Sequence, residues 1–441
     1  VLFIVCPAIV VAALGGVLVP ALRMTHWLVA TAFLFTAIAM AFETVAAARR
    51  VSAPKRPTTP PSLSVVVAAY LPNEQDIIVE TLRHVLRTVR VPTQRLQIIL
   101  AYNTPSALDI EQILHELGQT AAQILPLKVE GSTSKAENIA AALPHLTGEM
   151  TVLLDADHHP AGDAPARAWR WLELGYDIVQ GRCIVRNARE NWLTRLVALE
   201  FEQMYAVSHQ GRSMLVDTAI FGGTNGWWRT STLQQIGMDP RMLTEDIESC
   251  VRSIQAGYRL IHDRSVISTE LATETPKAWW SQRLRWAQGW LQVAMRHRHR
   301  MLGTPNLSLI QRLYWLYMLT WGAVFPIFAM GAFSVLIADF TLGKAFGMLT
   351  DPYLVFSTLA MIAVQALLSI VSWRVSSPAG RTVGKPWAVL NALVSPFYVT
   401  LKNAVALVAV LREAAAIDEW VVTSRGRRLE PAQAVSVPAE G

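Results

Sequence analysis

Charge is scarce in this chain: Asp, Glu, Lys and Arg make up 16% of its 441 residues, against about 25% in ordinary soluble domains. The shortage is local. No charged residue occurs from Val1 to Leu22, and from Met24 to Phe42 only His26 and threonines interrupt an apolar run. Each stretch reaches the roughly 18 residues that suggest a membrane-spanning helix. Cysteine is also rare, with Cys6, Cys183 and Cys250 the full count. Three cysteines with no CxxC pair exclude a disulfide scaffold and a cysteine-rich metal fold. The net charge of +6 lacks the aromatic-interleaved basic stripe of a nucleic-acid binder; it gathers beside apolar runs, where anionic headgroups account for it.

What is present is apolar sequence in blocks, 52% hydrophobic with a mean hydropathy of +0.31. Residues 1–48 are expected to form two transmembrane helices with a short turn at Arg23 to His26. A secretory signal is the alternative, but it calls for a basic start and a small-residue cleavage site before a polar domain, and here a second apolar run follows at once. Arg49, Arg50, Lys55 and Arg56 come next, and basic clusters at the end of a span favour the cytoplasmic side. The expectation is a multi-pass plasma-membrane protein with a cytoplasmic catalytic domain.

After the Pro-rich connector at 51–61, residues 62–270 read as one α/β unit. Short apolar runs at Leu63 to Ala69, Leu96 to Ala101, Ile124 to Val129 and Met150 to Leu154 suit buried strands. They alternate with helical patterns at Asp76 to Arg90, Ala107 to Gly118 and Lys135 to Leu143. That alternation describes a doubly wound sheet, with ligands bound beyond the carboxyl ends of its strands. Leu193, Leu196, Val197, Phe201, Met204 and Tyr205 fall on one helical face, opposite Arg195, Glu202 and Gln203; core packing and the bilayer interface explain that stripe about equally. Residues 271–305 mix Trp with Arg, as interfacial amphipathic helices do. Residues 311–374 suit a transmembrane hairpin. Pro396 and Lys402 interrupt the last apolar block, so 387–441 is expected to be interfacial or re-entrant with a flexible tail.

Three strings carry chemistry. Asp155-Ala156-Asp157-His158 follows a strand directly, and two carboxylates one residue apart with an adjacent imidazole can hold Mg²⁺ or Mn²⁺ and, through it, a diphosphate. A solvated surface turn is the bland alternative. Thr244-Glu245-Asp246 offers Asp246 as a general base for a hydroxyl nucleophile, or as the cap of a following helix. Gln282, Arg285 and Trp286 stand at i, i+3 and i+4, so one helix face presents an amide, a cation and an indole. Arg285 could reach a diphosphate and Trp286 could stack on a sugar, although headgroup contact explains such a helix equally well.

Together these strings resemble the membrane-embedded, processive family 2 glycosyltransferases, the group of cellulose, hyaluronan and chitin synthases. The resemblance covers about residues 62 to 300. It implies a GT-A fold and inverting transfer of a sugar from a nucleotide sugar, a UDP-sugar first of all, to a growing β-linked polysaccharide that passes into a transmembrane channel. On that basis Asp155 and Asp157 match the metal-binding DxD, with His158 an extra ligand. Asp246, beside Glu245, matches the TED base, and Gln282, Arg285 and Trp286 match QxxRW. Tyr70 and Glu74, in Val66-Val67-Ala68-Ala69-Tyr70-Leu71-Pro72-Asn73-Glu74, match the nucleotide-binding strand, and Lys135 in Ser134-Lys135-Ala136-Glu137-Asn138 is expected near the diphosphate. Gly223, Thr224 and Asn225 match the loop that meets the acceptor. Trp420, Thr423 and Arg425 resemble the FxVTxKG gating loop, with Trp for Phe and Arg for Lys.

The pattern departs from the family after the second strand. An Asp-Asp pair that holds the base is replaced by Ile98-Ile99-Leu100-Ala101-Tyr102-Asn103-Thr104-Pro105, which leaves Asn103 as the substitute and loosens the case for uridine. A non-processive transferase that adds one sugar to a lipid phosphate is the second reading, since fold alone does not fix function. A transporter or inert scaffold is a third, against which stand the absence of internal repeats, the few intramembrane charges and the presence of Asp157, Asp246 and Trp286 together. The expected partners are the nucleotide sugar, the polysaccharide acceptor and the bilayer, with no nucleic acid.

Overall fold

The computed structural model describes residues 2–49, 62–91, 95–342 and 351–417. Trp420, Thr423 and Arg425 of the suggested gating loop lie outside the described residues, as do Arg50, Lys55 and Arg56. The first helix, α1 (Leu2–Ala48), runs without a break through Arg23 to His26, so the expected pair of helices is one. Arg-Met-Thr-His contains neither glycine nor proline to end a helix. His26 is buried, 3.5 Å from Asp351, and Trp27 stacks on Tyr353.

The α/β unit follows as β1 (Leu63–Tyr70), α2 (Leu71–Glu74), α3 (Ile78–Thr88), β2 (Leu96–Asn103), α4 (Ile110–Thr120), β3 (Ile124–Lys128), α5 (Lys135–Ala142), β4 (Met150–Asp155), β5 (His159–Pro160), α6 (Ala164–Glu173) and β6 (Ile178–Val185). Next come α7 (Trp192–Phe201), π-helical turns at Glu202–His209, α8 (Gln210–Val216), β7 (Gly226–Arg229), α9 (Thr230–Ile236), α10 (Glu245–Gln255) and β8 (Leu260–Glu270). Four long helices complete the chain: α11 (Pro276–Met301), α12 (Leu309–Leu342), α13 (Pro352–Val375) and α14 (Lys385–Ala414).

The strands form one sheet in the order β3-β2-β1-β4-β7-β6-β8-β5. The first four are parallel as expected, but β7 runs antiparallel to both β4 and β6, so the sheet is mixed. Alternation along β1 divides the core: Leu63, Val65, Val67 and Ala69 face one hydrophobic cluster, Val66 and Ala68 the other. The carboxyl ends of β1, β2, β4, β6 and β8 share one edge, which brings Tyr70, Asn103, Asp155 and Glu270 to the same side.

Two sequence expectations change here. The π-helical turns break the 3.6-residue period after Phe201, and Glu202, expected on the polar face, is instead 3% exposed against the guanidinium of Arg182, itself 2% exposed. Ser376, just past α13, donates to the same carboxylate. The last apolar block is one 30-residue helix rather than a broken segment. Pro396 costs it a single backbone bond, and the Lys402 ammonium is paired with Glu200 at 2.6 Å. Four described helices, Met24–Ala48 within α1, Leu309–Phe333 within α12, α13 and α14, are long and apolar enough to cross a membrane.

Removing one partner of a buried ion pair leaves a charge with nothing to offset its desolvation. Glu202→Ala should therefore destabilise the detergent-solubilised protein by about 3–5 kcal/mol, read from its thermal or denaturant unfolding midpoint. Unfolding like that of the natural chain would show that Arg182 finds other partners.

Candidate active site

The sheet edge opens into a cleft of about 180 Å³. It is lined by Tyr70, Glu74, Asn103, Lys135, Asp155, Gly223, Thr224, Glu245, Asp246, Gln282, Arg285 and Trp286, so the strings separated in sequence meet in space. Each arrives on its own element. Asp155 ends β4, Lys135 begins α5, Glu245 and Asp246 begin α10, and the Gln282–Trp286 face belongs to α11.

Lys135 is fixed by a capping box, in which Ser134 accepts from the Glu137 amide while the Glu137 carboxylate accepts from the Ser134 amide. Its ammonium donates to Asp155 and, at 2.8 Å, to the Gly223 carbonyl. Burial works against that charge, but Asp155, Glu245 and Asp246 together hold the amine above its ordinary range. Thr244, and not Asp246, is the cap residue of α10; Asp246 sits in the first turn and accepts from the Ile247 amide at 2.8 Å. Burial pushes both carboxyls up, Glu245 to about 7 with the Asp246 charge adding to the effect, while Lys135 and Arg285 pull them back down.

Two close approaches set the position of Asp246. Gly223 has φ +85°, and a Cβ there would lie 2.6 Å from Asp246 Oδ2. On the other side α11 presses against the start of α10, since a Cβ on Gly289 would fall 2.4 Å from Thr244 Cγ2. Within the QxxRW string the side chains divide. Arg285 faces the cleft, whereas Arg283 is buried, bonded to Glu200 at 2.6 Å and stacked 4.3 Å from the Trp286 ring.

Asp157 is 1% exposed behind the cleft rim, and its Oδ2 accepts from the Leu271 amide at 2.9 Å. One donor atom each from Asp155, Asp157 and His158 lies within 4.8 Å of the others, a carboxylate and imidazole set that fits a hard divalent cation. Lys135 now holds Asp155, so a metal there would share that carboxylate with the lysine or displace it.

Two expected site residues have other duties. Asn225 is fully buried at φ +50°, donating to the carbonyls of Arg182 and Val266 and accepting from Trp227 Nε1; it shapes the loop and does not line the cleft. Asn103 lines the cleft, yet its amide donates to the Ser132 carbonyl and accepts from Asn138, each at 2.8 Å, which ties it to the loop before α5. Sequence reasoning missed Glu270 at the end of β8, Leu271 and Glu274 beyond it, and Phe201 and Tyr205 as cleft walls. Tyr205 had been visible only as part of an apolar stripe, and β8 carried no motif.

A parallel half-sheet ending in a carboxylate pair, continued by a mixed half that brings in an acidic helix start, defines a GT-A glycosyltransferase domain. The model of glycosyl transferase family group 2 matches residues 150–376, more than half the chain. The protein belongs to that family.

The chain is similar to "Probable glycosyltransferase YdaM" of Bacillus subtilis (28% identity, 52% of this chain, 55% of that protein). It also resembles the cellulose synthase 1 catalytic subunit (UDP-forming) of Komagataeibacter xylinus (27%, 43% and 26%) and poly-β-1,6-N-acetyl-D-glucosamine synthase of Staphylococcus epidermidis (25%, 56% and 59%). It thus spans about half the length of the first of these curated relatives and about a quarter of the second. Among solved structures, the mannosyltransferase PcManGT of Pyrobaculum calidifontis, in complex with GDP-Man and Mn²⁺, shares the fold at 18% identity and a TM-score of 0.54, covering 90% of this chain and 98% of that one.

A methyl group at Gly223 would meet the Asp246 carboxylate and strain the backbone. Misplacement of a reacting group by about 1 Å can cost about 100-fold in rate, so Gly223→Ala should lower sugar transfer by at least about that factor while the unfolding midpoint moves little. Unchanged turnover would mean that Asp246 does not need this wall.

Proposed function

We propose that the chain is a membrane-bound inverting glycosyltransferase that moves a sugar from a UDP-sugar to the end of a growing β-linked polysaccharide. The supporting observation is the convergence in one cleft of Asp155, Lys135, Asp246 and the Gln282–Arg285–Trp286 face. The named activities of the polysaccharide synthases similar to it favour a polymer acceptor over a single-sugar lipid acceptor.

In this reading Tyr70 and Glu74 flank the nucleoside, and Lys135 and Arg285 offset the diphosphate charge that grows as the leaving group departs. Asp155 and Asp157, with His158, would hold Mg²⁺ or Mn²⁺, whose Lewis acidity would further stabilise the leaving diphosphate. Asp246 takes the proton from the acceptor hydroxyl as that oxygen attacks the anomeric carbon, with Glu245 beside it. Gln282 and Trp286 seat the acceptor end, the indole stacking on a sugar face. Gly223 and Thr224 bring backbone and a hydroxyl to the same place. The apolar helices anchor the catalytic domain at the cytoplasmic face and form the route by which the polymer leaves, with Trp420, Thr423 and Arg425 as its gate.

Asp246→Asn keeps shape and removes the base. Turnover should fall by about 10²- to 10⁴-fold while nucleotide affinity stays within about threefold of the natural protein, measured by UDP release and calorimetry; a large loss of nucleotide binding would give Asp246 another role. Asp157→Ala, in contrast, should abolish the Mn²⁺-dependent part of UDP affinity.

The base works only when ionised, so kcat/KM falls as pH drops through its pKa. Burial sets that acid limb above the range of an ordinary aspartate. Because Arg285 lowers the same pKa, Arg285→Met should move the limb to higher pH. A limb that stays in place or moves down would remove Arg285 from the field of Asp246.

A further inference from the structure

The turn after β4 and the strands β6 and β8 bring together a second set of donors, of which the proposed transfer reaction calls on His158 alone. His158, Cys183 and Glu270 each place one ligand atom within 4.8 Å of the others. His158 and Cys183 are both fully buried. The imidazole is already oriented, because its Nδ1 is 3.1 Å from Ser268 Oγ and its Nε2 turns toward Glu270. That Nε2 pairs with Glu270 Oε2 at a loose 3.6 Å, and neither it nor the buried Glu270 Oε1 has a partner at ordinary hydrogen-bond distance. A loose pair of this kind leaves hydrogen-bonding capacity in the interior that a bound cation would take up.

We propose that His158, Cys183 and Glu270 form a site for a thiophilic divalent cation, with Zn²⁺ as the natural candidate, distinct from the oxygen-rich site of Asp155 and Asp157. A thiolate, an imidazole and a carboxylate make a zinc-type donor set, and three protein ligands leave a fourth position open. Thiolate and carboxylate together neutralise the ion, which removes the penalty of placing a bare charge in the interior. In tetrahedral coordination the ligand atoms would stand roughly 3.5 Å apart; the His158–Glu270 pair is already at 3.6 Å, and the Cys183 sulfur lies within 4.8 Å of both. The thiol proton leaves to solvent as the sulfur binds.

Glu270 also lines the cleft, which joins this site to the reaction chamber. The two cation sites share His158, and filling the sulfur site withdraws that imidazole from the other. A thiophilic ion should therefore slow turnover supported by Mn²⁺, and Cys183→Ser should relieve that inhibition.

The site is tested without reference to turnover by titrating Cd²⁺ alone into the detergent-purified full chain. The chain has three cysteines, so Cys6→Ser with Cys250→Ser leaves Cys183 as its only thiol. Thiolate-to-metal charge-transfer absorption should then grow to saturation at one Cd²⁺ per chain and vanish when Cys183→Ser is added. Glu270→Gln should weaken Cd²⁺ binding by at least about tenfold. An absent band, a band that survives Cys183→Ser, or an affinity indifferent to Glu270→Gln would overturn the proposal. Where a combined variant does not fold, the natural chain suffices, since no charge-transfer band from it would also overturn the site.

Discussion

Three carboxylates, Asp155, Glu245 and Asp246, crowd one half-buried cleft, and the Lys135 ammonium is what permits them to do so. It bonds directly to Asp155, acts on the other two through space, and donates to the Gly223 carbonyl. Like charges at this spacing would otherwise take up protons or spread apart. The lysine is held in turn by the capping box at the start of α5, and Gly223 by its contact with Asp246. One cation therefore joins the end of β4, the loop before β7 and the start of α10 into a single unit, which is the unit that a nucleotide diphosphate must enter.

A second charge cluster ties that unit to the apolar helices. Glu200, at the end of α7, accepts from Arg283 of α11 and from Tyr398 and Lys402 of α14. Burial alone would raise its pKa, yet Arg283 and Lys402 hold it at about 2. Arg283 stacks on Trp286 at the same time. The face that would seat an acceptor is thus positioned by a helix long and apolar enough to cross the bilayer. Arg182, Glu202 and Ser376 repeat the arrangement between β6 and the end of α13. These ion pairs and the stacked ring connect the apolar helices α13 and α14 to the catalytic edge.

Much of this arrangement was legible in the chain. The four valine- and leucine-rich strands and the helices between them obeyed simple periodicity, and the residues of the three strings line or flank one cleft. What failed had local physical causes. The turn expected after Leu22 is absent because no residue there ends a helix, and Lys402 reads as a breaker only while its partner, 202 residues earlier in the chain, is unknown. The π-helical turns rotate Glu202 inward, which a 3.6-residue period cannot anticipate. Asn225 is taken up by the Arg182 and Val266 carbonyls and Trp227, and Asn103, although it lines the cleft at the end of β2, has its amide bonded to the Ser132 carbonyl and Asn138. Glu270 lay in a strand without a motif, and its importance emerged only when β8 was placed beside β6.

The central claim is that this cleft extends a polymer from a nucleotide sugar. Its most direct test is to supply the purified protein, in detergent or nanodiscs, with labelled UDP- and GDP-sugars and Mg²⁺ or Mn²⁺, and to size the labelled product. The account predicts a long polymer from a UDP-sugar, lost when Asp246 is replaced by Asn. Label confined to a single sugar on lipid, or a polymer that still forms without Asp246, would contradict it.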